Sequence, residues 1–217
     1  MKIAVDGPAG SGKSTVSKVV AKNLGITYLD SGALYRACAY IGTKTASEGQ
    51  ALVDRVAQAG LEFDTAGRLF LTLNGETEDI STVIRTPEIA SKVSAVAAME
   101  DIRKLVTDKL RLMASKTSVI MDGRDIGTCV FPDAEYKFFL VATPRERARR
   151  RMKDFEAMGF AKTIDEIEAD IIKRDKLDSE REHAPLKKAE DAMEIDTTDL
   201  TIEQVISIIT ETASEKR

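Results

Sequence analysis

The sequence is poor in the side chains from which proteins build metal centres and covalent catalysts. Its 217 residues include two cysteines and one histidine. A zinc site made of four cysteines, of two cysteines with two histidines, or of three histidines therefore cannot be assembled within one chain. A Ser-His-Asp triad could use only His183. Cys38 and Cys129 make no disulfide framework and lack the spacing of a redox pair, which indicates a reducing, cytoplasmic location.

Long apolar runs, tryptophan and a strong charge imbalance are also absent. No run approaches the roughly 18 apolar residues of a membrane span, and Asp6 interrupts the N-terminus before an apolar segment of signal length forms. The net charge of −4 disfavours a general nucleic-acid binder. Aromatic residues make up 5% of the chain, so the core must be aliphatic. We therefore expect no membrane or nucleic-acid partner, and a single domain over residues 1–217.

Short apolar runs alternate with helical patterns along most of the chain. Strands that alternate with helices favour a central parallel sheet covered by helices on both faces, and hence an α/β fold. In the first helix, Val16, Val19, Val20 and Leu24 are expected to share one face. The predicted strands of this sheet are 2–6, 26–29, 117–121, 136–141 and 192–196, and the predicted helices are 13–24, 31–42, 48–59, 87–97, 100–115, 144–158, 164–181 and 201–214.

Three strand-like runs interrupt this alternation in the first half of the chain. They are residues 61–64, 68–73 and 76–80. Asn74-Gly75, between the last two runs, is a strong hairpin signal. We therefore predict a small antiparallel insert over residues 61–84.

The segment GPAGSGKS, residues 7–14, matches the phosphate-binding pattern G-x-x-x-x-G-K-[ST] between a predicted strand and a predicted helix. Glycines allow successive backbone N–H groups to curl around a phosphate, and the helix adds its positive N-terminal end. Lys13 would place its charge on the β- and γ-phosphates, and the Ser14 hydroxyl could ligate Mg²⁺. The residues assigned to nucleotide binding are Gly7, Pro8, Ala9, Gly10, Ser11, Gly12, Lys13, Ser14 and Thr15.

Two acidic residues stand at the ends of predicted strands. Asp30 follows the run ITYL, and Asp122 follows the run SVIM. Because ligands of open α/β sheets lie beyond the carboxyl ends of the strands, both carboxylates would face the phosphates through Mg²⁺ and its waters. Each could instead be a helix N-cap or a turn residue, and the sequence leaves both interpretations open.

The sequence lacks the motif by which GTPases recognise guanine. A GTPase would normally carry Asn-Lys-x-Asp, but neither of the two asparagines, Asn23 and Asn74, precedes a lysine. A D-x-x-G match at residues 64–67 lies in the predicted insert, where a turn explains it. We therefore reject a GTPase.

Arginines are placed where helical periodicity or strand ends would gather them. A guanidinium presents a planar fork suited to phosphate oxygens and stabilises charge during phosphoryl transfer. Arg174, Asp178 and Arg181 are spaced i, i+4 and i+7, so they share a helix face. For Arg145 and Arg149, a solvated charged face is the better explanation. The arginines gathered in this way are Arg36, Arg124, Arg147, Arg150, Arg151, Arg174 and Arg181.

These residues carry a resemblance to a known family. The chain resembles the bacterial cytidylate kinases, P-loop nucleoside monophosphate kinases that phosphorylate CMP and dCMP. LDSGALYR and DGRDIGT are specific to this family, whereas the P-loop alone would not be. The matching stretches are GPAGSGKST (7–15), YLDSGALYR (28–36), IRTPEI (84–89), DGRDIGT followed by CVFPDA (122–134), RERARRRM (145–152), KRDKLDSEREHAPL (173–186) and IDTTDLTIEQV (195–205).

The resemblance implies a P-loop kinase fold and a role for each matching residue. It implies ATP with Mg²⁺, CMP or dCMP as the acceptor, and a helical lid over residues 155–182 that closes to exclude water. The implied catalytic residues are Lys13, Arg124, Arg150 and Arg174. The implied acceptor contacts are Ser31, Arg36, Arg124 and Arg181 for the monophosphate, Ser94, Arg103 and Asp125 for cytosine, and Arg174 and Asp178 for the sugar.

Two other interpretations stay open at the level of sequence. The chain could be a kinase of another small acceptor such as UMP, AMP or shikimate. It could instead be a nucleotide-binding switch that hydrolyses ATP slowly whether or not CMP is present. From the resemblance to the cytidylate kinases we expect small-molecule substrates, a monomer and a cytoplasmic location.

Overall fold

Strands and helices alternate along most of the chain, as the apolar pattern predicts. The computed structural model describes residues 1–64, 67–115, 117–157, 159 and 162–214. In chain order the elements are β1 (Lys2–Asp6), α1 (Lys13–Leu24), β2 (Thr27–Asp30), α2 (Ser31–Thr45), α3 (Gly49–Gln58), β3 (Gly60–Phe63), β4 (Leu69–Leu73), β5 (Glu76–Asp79), α4 (Pro87–Ala98), α5 (Glu100–Met113), β6 (Val119–Gly123), β7 (Tyr136–Val141), α6 (Pro144–Ala157), α7 (Ile164–Glu180), β8 (Met193–Asp196) and α8 (Ile202–Ser214). A 3₁₀ turn covers Val83–Arg85, and a π-helical turn covers Ile126–Val130.

By its internal contacts the chain divides into two compact units. The first comprises Met1–Tyr28 and Thr117–Arg217, and the second comprises Leu29–Lys116. Residues 65 and 66 of the D-x-x-G match lie outside the described residues, as do residues 158, 160 and 161 of the predicted lid.

The first unit is built on a parallel sheet with the strand order β2-β6-β1-β7-β8, in which β2 begins in this unit. The central strand β1 pairs in parallel with β6 on one side and with β7 on the other. Asp6, the last residue of β1, is level with Gly123 of β6 and Phe139 of β7. The carboxyl ends of these strands therefore meet at one edge of the sheet, where open α/β sheets bind ligands. This arrangement confirms the predicted α/β fold.

Aliphatic residues fill the interior between this sheet and the helices α1 and α8. Ile3 and Val5 of the sheet are fully buried in one cluster with Val20 of α1 and Ile209 of α8. The prediction for Val19 was wrong, because this side chain is 38% exposed. It lies about 100° around the helix axis from Val20, which carries it away from the buried face.

Two predicted strands are displaced along the chain. β2 begins one residue later than predicted, and β6 begins two residues later. The register of β6 is set by β1, because Lys2 pairs with Val119 and the Val119 N–H donates to the Met1 carbonyl at 2.9 Å. As a result, Asp30 and Asp122 lie within the last two positions of their strands instead of following them.

The second unit contains the antiparallel sheet expected from the insert. Its strand order is β3-β4-β5, and both outer strands pair antiparallel with β4. Asn74 and Gly75 turn the chain between β4 and β5 with φ angles of 53° and 86°. Two positive φ angles are what a tight two-residue hairpin turn requires, so the Asn-Gly signal is confirmed.

Helices α6 and α7 pack together in the first unit. Thr163 begins α7 with a capping box, in which its hydroxyl accepts the Glu166 N–H at 3.3 Å and the Glu166 carboxylate accepts the Thr163 N–H at 2.8 Å. Ala148, Ile167 and Ile171 form the buried contact between the two helices. Across the part of the chain that the structure describes, none of the helices has the length and apolar character of a membrane span.

Candidate functional site

The phosphate-binding pattern forms the loop that joins β1 to α1 at the carboxyl edge of the sheet. We call residues 7–14 the P-loop. Gly7 has a φ of 143°, and a Cβ at this position would collide with the Leu140 carbonyl oxygen of β7. Only glycine therefore lets the loop pass this close to the neighbouring strand. Gly12 is the N-cap of α1 and supplies no capping side chain, which leaves the first N–H groups of the helix facing an anion site.

Lys13 folds back onto the P-loop. Its side chain is buried, and Nζ donates to the Pro8 carbonyl at 2.6 Å and to the Ser11 hydroxyl at 3.3 Å. Ser11 in turn donates to the Pro8 carbonyl at 3.1 Å. Thr15 is exposed on the first turn of α1. The lysine assigned to the β- and γ-phosphates is thus bonded to the loop that would hold them.

Burial and neighbouring charges both change the pKa of the Lys13 ammonium. Burial, and then the guanidinium of Arg124, lower the pKa of the Lys13 ammonium well below its ordinary value. Arg174 acts in the same direction, whereas Asp122 and Asp6 raise this pKa. The positive charges of Arg124 and Arg174 therefore act on a lysine of a loop whose backbone suits an anion.

Hydroxyl groups hold both oxygens of the Asp122 carboxylate. Ser14 Oγ donates to Oδ2 at 2.6 Å, and the Tyr28 hydroxyl donates to Oδ1 at 2.7 Å. Sequence analysis missed Tyr28, because a tyrosine in a strand is ordinarily explained by packing. Among the described residues, no group of three or more His, Cys, Asp or Glu could hold a metal ion. Mg²⁺ commonly takes one or two carboxylates together with substrate phosphates, so Ser14 and Asp122 fit a Mg²⁺ shared with a nucleotide.

Asp6 holds the segment that follows β6. Its carboxylate accepts the Ile126 N–H at 2.8 Å and the Gly127 N–H at 2.7 Å, at the start of the π-helical turn. Burial raises the pKa of Asp6 to about 6, although both backbone hydrogen bonds act in the opposite direction. Sequence analysis gave Asp6 no role and did not predict the turn. Arg124 and Asp125 immediately precede this turn, so Asp6 keeps them at the sheet edge.

Helix α7 brings further charged residues to the same segment. Arg124 Nε donates to Asp178 Oδ2 at 2.9 Å. Arg181, which follows α7, forms an ion pair with Asp125 at 3.5 Å. The four side chains are largely buried. The structure thus brings together two stretches that the sequence assigned to the acceptor nucleotide, and Arg174 lies on the same helix.

Arg150 lies beside the P-loop but is bonded to the end of β8. Its guanidinium donates to the Thr197 hydroxyl at 3.0 Å and to the Thr197 carbonyl at 2.5 Å, and its Nε donates to Glu146 at 3.1 Å. A Cβ at Gly12 would lie 3.9 Å from Arg150 Nη1. Contact with a transferring phosphate would require this guanidinium to leave Thr197.

Arg145 and Arg149 lie in exposed ion pairs. Arg145 pairs with Asp165 and Glu168, and Arg149 pairs with Glu146 at 3.4 Å. Their side chains are 44% and 62% exposed, which confirms the solvated charged face.

In the second unit, Asp30 is the N-cap of α2, and its carboxylate accepts the Ala33 N–H at 2.9 Å. The same carboxylate pairs with Arg36 at 2.8 Å and with Arg85 at 3.1 Å. Of the two interpretations left open for Asp30, this geometry favours the helix cap. Sequence analysis missed Arg85, for which the stretch IRTPEI was the available signal. Ser31, the first residue of α2, is buried.

The second unit also buries Arg103 of α5. Its Nη1 donates to the Ala97 carbonyl of α4 at 3.1 Å, and its guanidinium lies over the Tyr35 ring, 5.3 Å from the ring centroid. Ser94 is half-buried one turn before Ala97 on α4. Ser94 and Arg103 are the two residues of this unit that were assigned to cytosine. Arg103 of α5 contacts α4 one turn beyond Ser94, so the two residues lie close to each other.

Comparison with known proteins gives a consistent result. The profile of the cytidylate kinase family matches residues 3–215. A cytidylate kinase of Lactobacillus gasseri is 48% identical over 221 aligned residues, which cover all of this chain and 95% of that protein. A cytidylate kinase of Clostridioides difficile is 48% identical over 207 residues, covering 94% of each chain. Among solved structures, an uncharacterized protein from Eubacterium ventriosum shares the fold alone, with a TM-score of 0.54 and 16% identity over the whole of this chain and 99% of that chain. The chain therefore belongs to the cytidylate kinase family.

Proposed function

We propose that the chain transfers the γ-phosphate of ATP to CMP or dCMP and releases ADP with CDP or dCDP. The observation that carries the proposal is the buried Lys13 of the P-loop, whose charge adds to those of Arg124 and Arg174. Family membership over residues 3–215 supports the same reaction. A phosphate oxygen of the acceptor forms the new bond to the γ-phosphorus, while the bond from that phosphorus to the β–γ bridging oxygen breaks.

The P-loop and Thr15 would hold the phosphates of ATP through backbone N–H groups at the N-terminus of α1. On binding, Lys13 would exchange the Pro8 carbonyl for β- and γ-phosphate oxygens. The residues that would hold Mg²⁺ are Ser14 and Asp122. Bound there, Mg²⁺ would neutralise charge on the phosphates.

The transfer needs no covalent intermediate. The protein positions two nucleotides and neutralises charge on the moving phosphoryl group. Arg124 and Arg174 are suited to this task, because their charges already act at Lys13 and a guanidinium offers paired donors to phosphate oxygens. Arg150 would join them once its guanidinium leaves Thr197.

For the acceptor's monophosphate we assign Arg36 and Arg85, with Ser31 at the start of α2. Asp30 would orient both guanidiniums instead of ligating the metal. The resemblance to the family also assigns Arg124 and Arg181 to the monophosphate, and Arg174 and Asp178 to the sugar.

Cytosine recognition follows from its hydrogen-bonding edge. Cytosine presents an amino donor at N4 beside acceptors at N3 and O2. An ionised Asp125 can accept from N4, while Arg103 and Ser94 can donate to N3 and O2. Uracil has an acceptor in place of the amino group and a donor at N3, so the same side chains would be mismatched. The proposed specificity is therefore for cytosine over uracil.

We further propose that the lid, residues 155–182, closes over the bound nucleotides and excludes water, which would otherwise accept the phosphate.

We also propose that the chain acts as a monomer in the cytoplasm. Burial raises the pKa of the Cys38 thiol to about 12 and keeps it unreactive.

An assay of ADP release across a panel of acceptors tests the proposal. With ATP and Mg²⁺, CMP and dCMP should be good acceptors, and UMP should be poorer by at least about tenfold in kcat/KM. AMP, GMP and shikimate should be much poorer. A kinase of another acceptor would instead prefer UMP, AMP or shikimate, and a nucleotide-binding switch would release ADP at a rate indifferent to CMP. Either result would overturn the proposal.

A further inference from the structure

Arg147 of α6 is buried and has no role in the proposed transfer. Arg147 is 3% exposed, and its guanidinium contacts three partners. Nε donates to the Ala142 carbonyl at 2.9 Å, Nη1 donates to the Ala9 carbonyl at 3.0 Å, and Nη2 pairs with the Asp175 carboxylate at 2.6 Å. These partners belong to the turn after β7, to the P-loop and to α7. One side chain therefore joins three segments of the first unit.

Backbone packing adds a second contact between α6 and the P-loop. Gly10 has a φ of 79°, and a Cβ there would lie 3.1 Å from the Cβ of Arg147 and 3.2 Å from its carbonyl oxygen. This is closer than ordinary van der Waals contact, so the glycine allows α6 to lie directly against the loop. A displacement of Arg147 would consequently disturb the shape of the P-loop.

Asp175 lies on α7 between two residues assigned to the reaction. Arg174 precedes it, and the charge of Arg174 acts on Lys13. Asp178 lies about one turn further along, and its carboxylate accepts the Arg124 Nε–H at 2.9 Å. Because α7 is a continuous helix, the position of Asp175 determines where Arg174 and Asp178 lie.

We propose that Arg147 is a positioning residue for phosphoryl transfer: its contact with Asp175 holds α7 so that Arg174 and Asp178 are aligned with the P-loop. The inference rests on the proposed function, because it assigns Arg147 to that reaction. Fold stability is a weak explanation for the pair, since the desolvation of the buried Arg147 guanidinium offsets much of its attraction to the Asp175 carboxylate, which is 21% exposed. A guanidinium carries its donors on three nitrogens in one plane and so reaches acceptors on three sides, whereas a lysine carries all three donors on one nitrogen.

The experiment compares Arg147→Lys, Asp175→Asn and the double variant with the unaltered protein. Arg147→Lys keeps the charge and removes the planar fork, whereas Asp175→Asn keeps the shape and removes the charge. Arg149→Lys is the matched control, because Arg149 lies on the same helix and is 62% exposed. We would measure kcat and KM for ATP and CMP per folded molecule, with the folded fraction taken from circular dichroism. CDP and inorganic phosphate are quantified separately, so that transfer and hydrolysis can be compared.

Each single substitution is expected to lower kcat for CDP formation by about 10–100-fold, the effect of misplaced catalytic groups. In Asp175→Asn the KM for ATP should change by less than about threefold, because this substitution leaves the contact of Arg147 with Ala9 of the P-loop in place. The ratio of inorganic phosphate to CDP should rise, since a displaced α7 admits water. The double variant should be no slower than the slower single variant, because both substitutions remove one contact. Arg149→Lys should behave like the unaltered protein.

Single variants that lower only the folded fraction would overturn the inference, and so would losses that multiply in the double variant. If Arg147→Lys does not fold, Asp175→Asn decides alone. An unchanged kcat and an unchanged product ratio in that variant would contradict the positioning role. If the unaltered protein forms no CDP, the proposed function itself fails, and this inference fails with it. The unaltered protein therefore distinguishes the two failures.

Discussion

The Ser14 hydroxyl lies 2.6 Å from Asp122 Oδ2, so the residue after the P-loop lysine is hydrogen-bonded to a carboxylate 108 positions later in the chain. The sheet explains this contact. β1 and β6 pair in parallel with Val5 level with Asp122, so both strands end at the edge where α1 begins. The parallel topology thus gathers oxygen ligands at the place where the nucleotide phosphates are proposed to bind.

Lys13→Ala should lower CDP formation by about 10²–10⁴-fold, because the variant lacks the charge that neutralises the β- and γ-phosphates. The fold should stay intact, which circular dichroism would check. Lys22→Ala is the matched control, since Lys22 is exposed near the end of the same helix. Phosphorylation of CMP by Lys13→Ala at nearly the normal rate would remove the P-loop from the mechanism.

Binding of both nucleotides should slow hydrogen exchange in α7, because closure of the lid protects backbone N–H groups. The helix has few buried apolar anchors and exposes Ile172 and Leu177, each at 52%. The measurement is hydrogen exchange with and without CMP and a non-hydrolysable ATP analogue. The central strand β1 serves as the internal control and should not change. Equal exchange of α7 in both states would argue against a closing lid.

Asp125→Ala should weaken the use of CMP and narrow the ratio of kcat/KM between CMP and UMP. A mismatched buried polar contact costs about 1–3 kcal/mol, so the unaltered protein should favour CMP by at least about tenfold. Asp125 also pairs with Arg181, and loss of that pair alone would affect both acceptors equally. The ratio therefore isolates base recognition, and an unchanged ratio in the variant would rule out this role for Asp125.

Asp6→Asn should change how stability depends on pH. The pKa of Asp6 in the folded chain is about 6, against an ordinary value of 3.8. Between these two values the Asp6 carboxyl is protonated in the folded state and ionised in the unfolded state. The contribution of Asp6 to stability is therefore present below about pH 4 and is lost as the pH rises through about 6. Between about pH 4 and pH 6 the free energy of unfolding of the unaltered protein should therefore fall by up to about 3 kcal/mol relative to that of the variant.

Urea unfolding of both proteins across this pH range measures the difference in unfolding free energy directly. Other carboxylates titrate in both proteins and cancel in the comparison. A difference that stays constant with pH would show that Asp6 has an ordinary pKa in the folded chain.

Elements with strong local patterns could be predicted from the sequence. β1, α1 and β7 begin and end at the predicted residues. Residues 3–5 of β1 and 138–141 of β7 are continuous apolar runs, and α1 is bounded by Gly12 and Gly25. The P-loop was predictable for the same reason, because its glycines, Lys13 and Ser14 act at fixed local spacing.

Contacts between distant segments could not be predicted. Tyr28 reaches Asp122 only because the sheet places β2 beside β6. Arg85 reaches Asp30 across 55 positions of the chain, and Arg147 reaches Ala9 across 138. The π-helical turn depends in the same way on a carboxylate about 120 residues earlier. No local spacing of residues signals which of these partners will meet.

The most direct test follows the γ-phosphate itself. The protein would be incubated with CMP and ATP labelled in the γ-phosphate, and the nucleotides and inorganic phosphate would then be separated and counted. Our account predicts that the label appears in CDP, with one CDP formed for each ADP. The appearance of the label in inorganic phosphate, with ADP but no CDP, would contradict it.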